Sequence, residues 1–383
     1  MRRVAVIGVG MTTFGKHDRT SAELFAEAAA AAILDADIAP SAIQALYYGN
    51  VTGGETERQL HMAPLAATAL GLPSIPTTRL ETACATSHAA FRHAVMEIGS
   101  GVSDIVLVGG AERVLNVPTD AATEYFAYCS DAVYEQSLGL TFPGVFALIA
   151  RAHMDRYGTT EEQMAHVAVK NHRHGLLNPK AQFRKQISLE TVLKSPYVAD
   201  PLKLFDCCPF TDGGAALVLA AEDIAAKRRP VWVLATEAAA DTMFIHEKRD
   251  LSRVPATERA ASQAYRRAGK TPADVDVVEL HDCFTIAEIV ATEGLGFFEP
   301  GSGAIAAEKG WTSLGGKIPV NPSGGLKAKG HPIGATGAAQ INEIVTQLRG
   351  EAGGRQVEGA RTGLVHTLGG NTATVLVSLL GRD

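Results

Sequence analysis

The chain has 383 residues, 46% hydrophobic and 20% charged, the composition of an ordinary globular protein with one large core or two to three smaller ones. A formal net charge of −6 offers no basic face for nucleic acid, and no apolar run reaches the ~18–20 residues that span a bilayer. MRRVAVIGVG carries two arginines and only a short apolar stretch, so it reads as a first strand and not as a signal peptide.

After that strand, TSAE (Thr20 to Glu23) predicts a capping box opening an Ala-rich helix to about Asp35. IAPSAIQALYYGN reads as a turn and a buried strand. ETACATSHAAFRHAVMEIGSG reads as a turn, a helix and a glycine stop, and SDIVLVGGAE as a strand. Residues 113–205, rich in Tyr, His, Asn, Lys and Pro, break the pattern and read as an insertion, in which His172 and His174 of KNHRHG are expected to be solvated loop histidines. DGGAALVLAAE adds a strand, and KRRP (Lys227 to Pro230) is a solvated joint.

The second part repeats the first. VWVLATEAA from Val231 is a strand, and VPATERAASQAYRRAGK is a helix ending at Gly269. TPADVDVVELHD repeats the pattern of APSAIQALYYGN, with Pro272 answering Pro40, and GATG (Gly334 to Gly337) answers CATS (Cys84 to Ser87). GARTGLVHTLGGN and TATVLVSLLG close the chain as strands. The self-similarity implies two α/β units, residues 1–228 and 229–383, with mostly parallel sheets covered by helices.

Five cysteines (Cys84, Cys129, Cys207, Cys208, Cys283) without a CxxC pair are expected to be reduced thiols. Cys84 precedes a small-residue helix whose N-terminal dipole favours a nucleophilic thiolate; a packed core cysteine is the alternative. His331 sits among the glycines of SGGLKAKGHPIGATG, where the backbone can turn sharply, and is a natural base for a thiol. VVELHDCFTIAE places His281 and Cys283 on one side of an extended segment. Zinc needs four convergent ligands and no partner pair is visible, so no metal is expected. Cys207 and Cys208 read as packing residues near the site, and Glu288 as a cap without chemistry. GVGMTTFG misses the dinucleotide fingerprint, because Thr13 stands at the third glycine and no helix starts before Thr20.

NPSGGLKAKGHPIGATG resembles the GHPxGxTG signature of thiolases. DCCPFTDGGAALVLA, ETACATSHAA and HDCFTIAE resemble segments of the sterol-carrier-protein and archaeal acetyl-CoA acetyltransferase branch. Together the four motifs, in order, extend the likeness over nearly the whole chain. The resemblance implies the α/β thiolase fold, two duplicated αβα units in a five-layer αβαβα arrangement, with the inserted loop domain shaping a CoA site. It implies an acyl-CoA:acyl-CoA C-acyltransferase that makes or cleaves 3-ketoacyl-CoA by ping-pong Claisen chemistry through an acyl-Cys84 intermediate. His331 would accept the thiol proton and His281 would help hold a thioester oxygen. The N–H groups of Cys84 and Gly369 would form an oxyanion hole, and Ser323, Gly324 and Gly325 would bind CoA. In many thiolases a late CxG cysteine is the acid/base; here His366 or Thr367 of HTLGGN stands in its place, so Cys283 is expected to supply the second thiol. Coenzyme A is then the substrate, with no metal or redox cofactor. A homodimer or homotetramer follows, with a small OB-fold zinc-ribbon protein as a partner and no membrane. LLGRD lacks an SKL-like tag, which makes the cytoplasm and lipid metabolism the expected setting. The rivals are a ketosynthase or retro-aldolase on the same fold, and a non-catalytic acyl-CoA-binding subunit.

Overall fold

A computed structural model describes residues 2–382. In chain order the first unit contains β1 (Val4–Met11), α1 (Ser21–Asp35), β2 (Ala45–Gly49), α2 (Met62–Ala69), β3 (Thr77–Leu80), α3 (Thr86–Ser100) and β4 (Ile105–Glu112). An excursion follows, with α4 (Thr119–Ala127), α5 (Phe142–Tyr157) and α6 (Glu161–Leu176), before β5 (Gly213–Ala221). The second unit has β6 (Val231–Ala240), α7 (Pro255–Ala268), β7 (Val277–Glu279), α8 (Thr285–Gly294), α9 (Thr336–Arg349), β8 (Thr362–Gly369) and β9 (Thr374–Gly381). Local chemistry sets these limits. Thr20 and Glu23 form the reciprocal capping box of α1, and Gly101 and Gly269 end α3 and α7 in the left-handed conformation.

The strands run β3-β2-β4-β5-β1-β6-β9-β8-β7. Beyond β7, Val320 pairs in parallel with Val278 and takes the place that β3 holds beside β2. Each half therefore has the same internal order, and the two are mirrored about β1 and β6, which pair in register through Ala5–Trp232 and Val6–Val231. The sheet is mixed, which corrects the mostly parallel expectation. Only β2/β3, β2/β4 and β7/β8 are parallel. β5 returns antiparallel beside β4 after the long excursion, and the short turn between β8 and β9 permits only antiparallel pairing.

Helices α1 and α2 cover one outer face and α7 and α8 the other. Between the halves lie α3 and α9. Their Phe91, Ile98, Ile341 and Ile344 share one core with Val106 and Leu217 of the first half and Val277 and Val365 of the second. The five-layer αβαβα arrangement is thus present. The central helices approach closely because Gly337 has no side chain: a Cβ there would stand 2.5 Å from the backbone nitrogen of His88.

One carboxylate fastens the second unit to the first. Glu112, fully buried at the end of β4, accepts hydrogen bonds from Asn50 Nδ2, the N–H groups of Val51, Thr52 and Gly334, and Thr52 Oγ1, all at 2.8–3.0 Å. Gly334 belongs to the turn that leads into α9, so this carboxylate holds that turn against β2 and β4. Replacing Glu112 with Ala strands several buried donors and is expected to cost about 3 kcal/mol or more of unfolding free energy, read as a lower urea midpoint. An unchanged midpoint contradicts this role.

Candidate active site

The chain makes an abrupt turn before α3. Ala83 holds φ 50°, a left-handed conformation that costs a non-glycine residue about 1–2 kcal/mol. Thr86 stabilises the turn, its Oγ1 accepting from Thr82 N at 2.9 Å and donating to the Ala83 carbonyl at 2.6 Å. Cys84 is thereby set ahead of the helix, with its sulfur open to a cavity of about 410 Å³. The backbone N–H groups of Gly370 and of Cys84 itself act to lower the pKa of that thiol.

The expected thiolate is not what this setting favours. Burial pushes the Cys84 thiol well above the ordinary range, with Cys129 and Cys208 adding to the effect and the two N–H groups only opposing it. A helix N-terminus is a fraction of a charge, whereas desolvation acts on a whole one. The resting sulfur is a neutral thiol.

His331 can receive its proton. The His331 Nδ1 lies 2.6 Å from Thr336 Oγ1, and that hydroxyl donates to the Pro332 carbonyl at 2.9 Å. A hydroxyl has one hydrogen, so Thr336 accepts from Nδ1–H and leaves Nε2 bare, a tautomer assigned from the bond network. Burial holds His331 down to about pKa 3, with Lys329 contributing, so the ring is neutral and basic at Nε2. Backbone N–H of His331 is fixed by Thr211 Oγ1 at 2.9 Å.

His281 stands across from it, the two rings edge to face at 5.1 Å between centroids. It is fully buried, kept neutral by burial and by His331, and neither ring nitrogen has a hydrogen-bond partner. A buried imidazole left bare in a cavity wall is suited to a polar group of a ligand. Donor atoms of Cys84, His281 and His331 all lie within 4.8 Å of one another. These atoms could ligate a thiophilic cation, and the same closeness suits proton transfer. Cys283, two residues along from His281, faces the same cavity, and burial, then Cys208 and Cys84, pushes its thiol well above the ordinary range.

All five cysteines line this cavity, and among the described residues no Asp, Glu, Lys or Arg does. Its walls are aromatic: Phe146 stacks on Phe284 at 4.6 Å, and Phe126 meets Phe210 edge to face at 5.0 Å. Thr119, Phe126, Phe142 and Phe146 come from the excursion between β4 and β5, which therefore builds one wall.

Other expected site residues fall elsewhere. Ser323 is fully buried and bonded to Glu279, Gly324 packs on Gly175, and Gly325 lies under the Asp282 carboxylate, so these three are outside the lining of this cavity. Gly369 packs on the Thr82 carbonyl, and Gly370, one residue on, lines the cavity. Side chains alternate along β8: Leu368 reaches the cavity, Thr367 bonds His88 at 2.7 Å in the middle layer, and His366 meets Thr257 at 3.1 Å on the outer side. Neither His366 nor Thr367 supplies a group to the site. His172 and His174 are buried on α6, not solvated; His174 bonds the Asn321 carbonyl at 3.0 Å. The period of two in HTLGG could have picked out Leu368 and Gly370. Thr336 could have been found from its place five residues after His331.

Residues 4–223 match the family model described as Thiolase, N-terminal domain, and residues 237–382 that of Thiolase C-terminal domain-like. The chain belongs to the thiolase family. This thiolase is an acyltransferase. It is similar to the acetyl-CoA acetyltransferase of Methanothermobacter thermautotrophicus, 47% identical over 387 residues and 100% of both chains. Sterol carrier protein 2 of Homo sapiens is 37% identical over 98% of this chain and 71% of that protein. The solved structure of an Ltp2-ChsH2(DUF35) aldolase superposes with a TM-score of 0.85 at 27% identity, covering 100% of this chain and 98% of that one.

The neutral thiol has a direct consequence for labelling. Iodoacetamide consumes thiolate, so alkylation of Cys84, followed by peptide mass, is expected to keep accelerating beyond about pH 9.5, one unit above the pKa of an ordinary thiol, where an ordinary thiol has levelled off. A rate that is flat from about pH 6 to pH 9 would mean a preformed thiolate–imidazolium pair.

Proposed function

We propose that this thiolase is an acyl-CoA:acyl-CoA C-acyltransferase working through an acyl-Cys84 intermediate. The observation that carries this reading is the convergence of Cys84, His281 and His331 in one apolar cavity, with a second thiol, Cys283, on its wall. In the cleavage direction His331 Nε2 takes the Cys84 proton and the sulfur adds to the ketone carbonyl of a 3-ketoacyl-CoA. The resulting oxyanion is met by the N–H groups of Cys84 and Gly370. As the carbon–carbon bond breaks, His281 holds the thioester oxygen of the departing enolate, and Cys283 gives its proton to the carbanion. The first acyl-CoA leaves. CoA then passes its thiol proton to the Cys283 thiolate and attacks acyl-Cys84. The released Cys84 sulfur recovers its proton from His331, and the second acyl-CoA is complete.

The raised pKa of Cys283 serves this scheme. A desolvated thiolate is a strong base, which matches it to a weakly acidic α-carbon in the synthetic direction. The reading divides the chain into units 1–228 and 229–383, each bearing part of the machinery. It also includes self-assembly into a homodimer or homotetramer and association with a small OB-fold zinc-ribbon protein. The aldolase neighbour, whose name includes a DUF35 component, supports that last element.

The same neighbour favours a second reading, an aldol cleavage of a CoA ester that needs no acyl-cysteine. Intact-protein mass spectrometry after mixing with acetyl-CoA separates the two: acyl transfer requires an acetyl adduct on Cys84. Cys283→Ala is expected to keep the adduct and to lose about 100-fold or more in thiolysis of acetoacetyl-CoA, the range for general acid–base groups. Wild-type protein without an adduct overturns the acyl-transfer reading, and full thiolysis by Cys283→Ala overturns the role of the second thiol.

A further inference from the structure

His281 and Cys283 face the cavity because the residue between them faces the other way. Asp282 is fully buried, and its carboxylate accepts from Asn171 Nδ2 at 2.7 Å and from Leu326 N at 2.7 Å. Gly325 makes room for it, since a Cβ there would stand 2.2 Å from Asp282 Oδ2. Asn171 lies on α6, in the excursion between β4 and β5, far away in sequence. Its amide nitrogen also donates to Glu288 Oε2 at 2.9 Å, on α8. Glu288 accepts in addition from Asn321 Nδ2 at 3.0 Å and pairs with Lys170 at 2.8 Å. Asn321 Oδ1 closes the circuit by accepting from Leu280 N at 2.9 Å. Leu280 and Asp282, on either side of His281, are therefore both held, by a ring of four buried side chains: Asn171, Asp282, Glu288 and Asn321.

Neither nitrogen of His281 has a hydrogen-bond partner, so beyond packing, as against His331, its direction depends on this grip on its neighbours. His331 is held by separate means, through Thr336 and Thr211. We infer that Asn171 is a positioning residue of the reaction: by donating to Asp282 and Glu288 at once, it aims His281 and Cys283 at the enolate half of the substrate. It touches no reacting atom. This inference rests on the acyl-transfer reading, in which Cys84 and His331 serve acylation, and His281 and Cys283 serve carbon–carbon bond making and breaking.

The test separates the half-reactions in the full-length protein. Stopped-flow release of CoA from acetyl-CoA reports acylation of Cys84, and acetoacetyl-CoA synthesis reports the second half. For Asn171→Ala, acylation is expected to stay within about 3-fold of wild type, while kcat for synthesis falls about 10- to 100-fold with little change in KM, the scale of outer-shell positioning effects. Asn171→Ser, which keeps one donor, is expected to show the same split with a smaller loss, and serves if the Ala variant does not fold. Equal loss in both half-reactions, or none in either, in a folded variant overturns the positioning role. If wild-type protein itself releases no CoA, the failure lies with the acyl-transfer reading and not with Asn171.

Discussion

Everything in this molecule depends on two glycine-lined backbones being pressed together between two half-sheets. A Cβ on Gly110 would stand 2.1 Å from the Gly334 carbonyl, and one on Gly337 would meet His88. That contact puts the turn before α9 next to the turn before α3, and so puts His331 next to Cys84. Glu112 holds the contact with hydrogen bonds from both units. Because the two units have the same strand order, the duplication itself brings two helix N-termini to the same place, and the site is built where they meet.

The cavity's electrostatics follow from its dryness. With no charged side chain on its walls, the thiols are held protonated and the imidazoles neutral, each by desolvation. Under the proposed acyl transfer, charge appears only during reaction, where a low-dielectric pocket strengthens any hydrogen bond to an oxyanion. Ionic groups are confined to the layer behind. There Lys170, Lys327 and Lys329 are buried with Glu279, Asp282 and Glu288, and their bonds hold the backbone on either side of His281 and Cys283. Separation of a neutral front from a charged back lets the turn be rigid without placing a field on the substrate.

Much of this is legible in the sequence, for reasons that differ by residue. The capping box at Thr20, the glycine stops at Gly101 and Gly269, and the paired prolines Pro40 and Pro272 are local signals and produce local structure. Cys84, His281, His331 and Cys283 stand out because their motifs are short and chemically unusual. Strand direction is not legible in the same way, since alternation of strands and helices does not reveal a long insertion returning antiparallel. His172 and His174 read as solvated polar residues because polar residues default to the surface, and the Asn321 carbonyl that His174 bonds is 147 residues away. At Gly325 the sequence alone does not reveal the buried neighbour, since glycines that admit a substrate and glycines that admit a carboxylate, as here that of Asp282, are written alike.

The central claim is that the resting site is a neutral thiol facing a neutral imidazole with its proton on Nδ1. The most direct measurement is the ¹⁵N NMR spectrum of the histidine rings in the free protein, with His331 assigned by comparison with His331→Asn. The expected result is one protonated Nδ1 and one bare Nε2 on His331, unchanged between about pH 6 and pH 8, where an ordinary histidine titrates. Two protonated ring nitrogens across that range would mean an imidazolium beside a thiolate, and would contradict it.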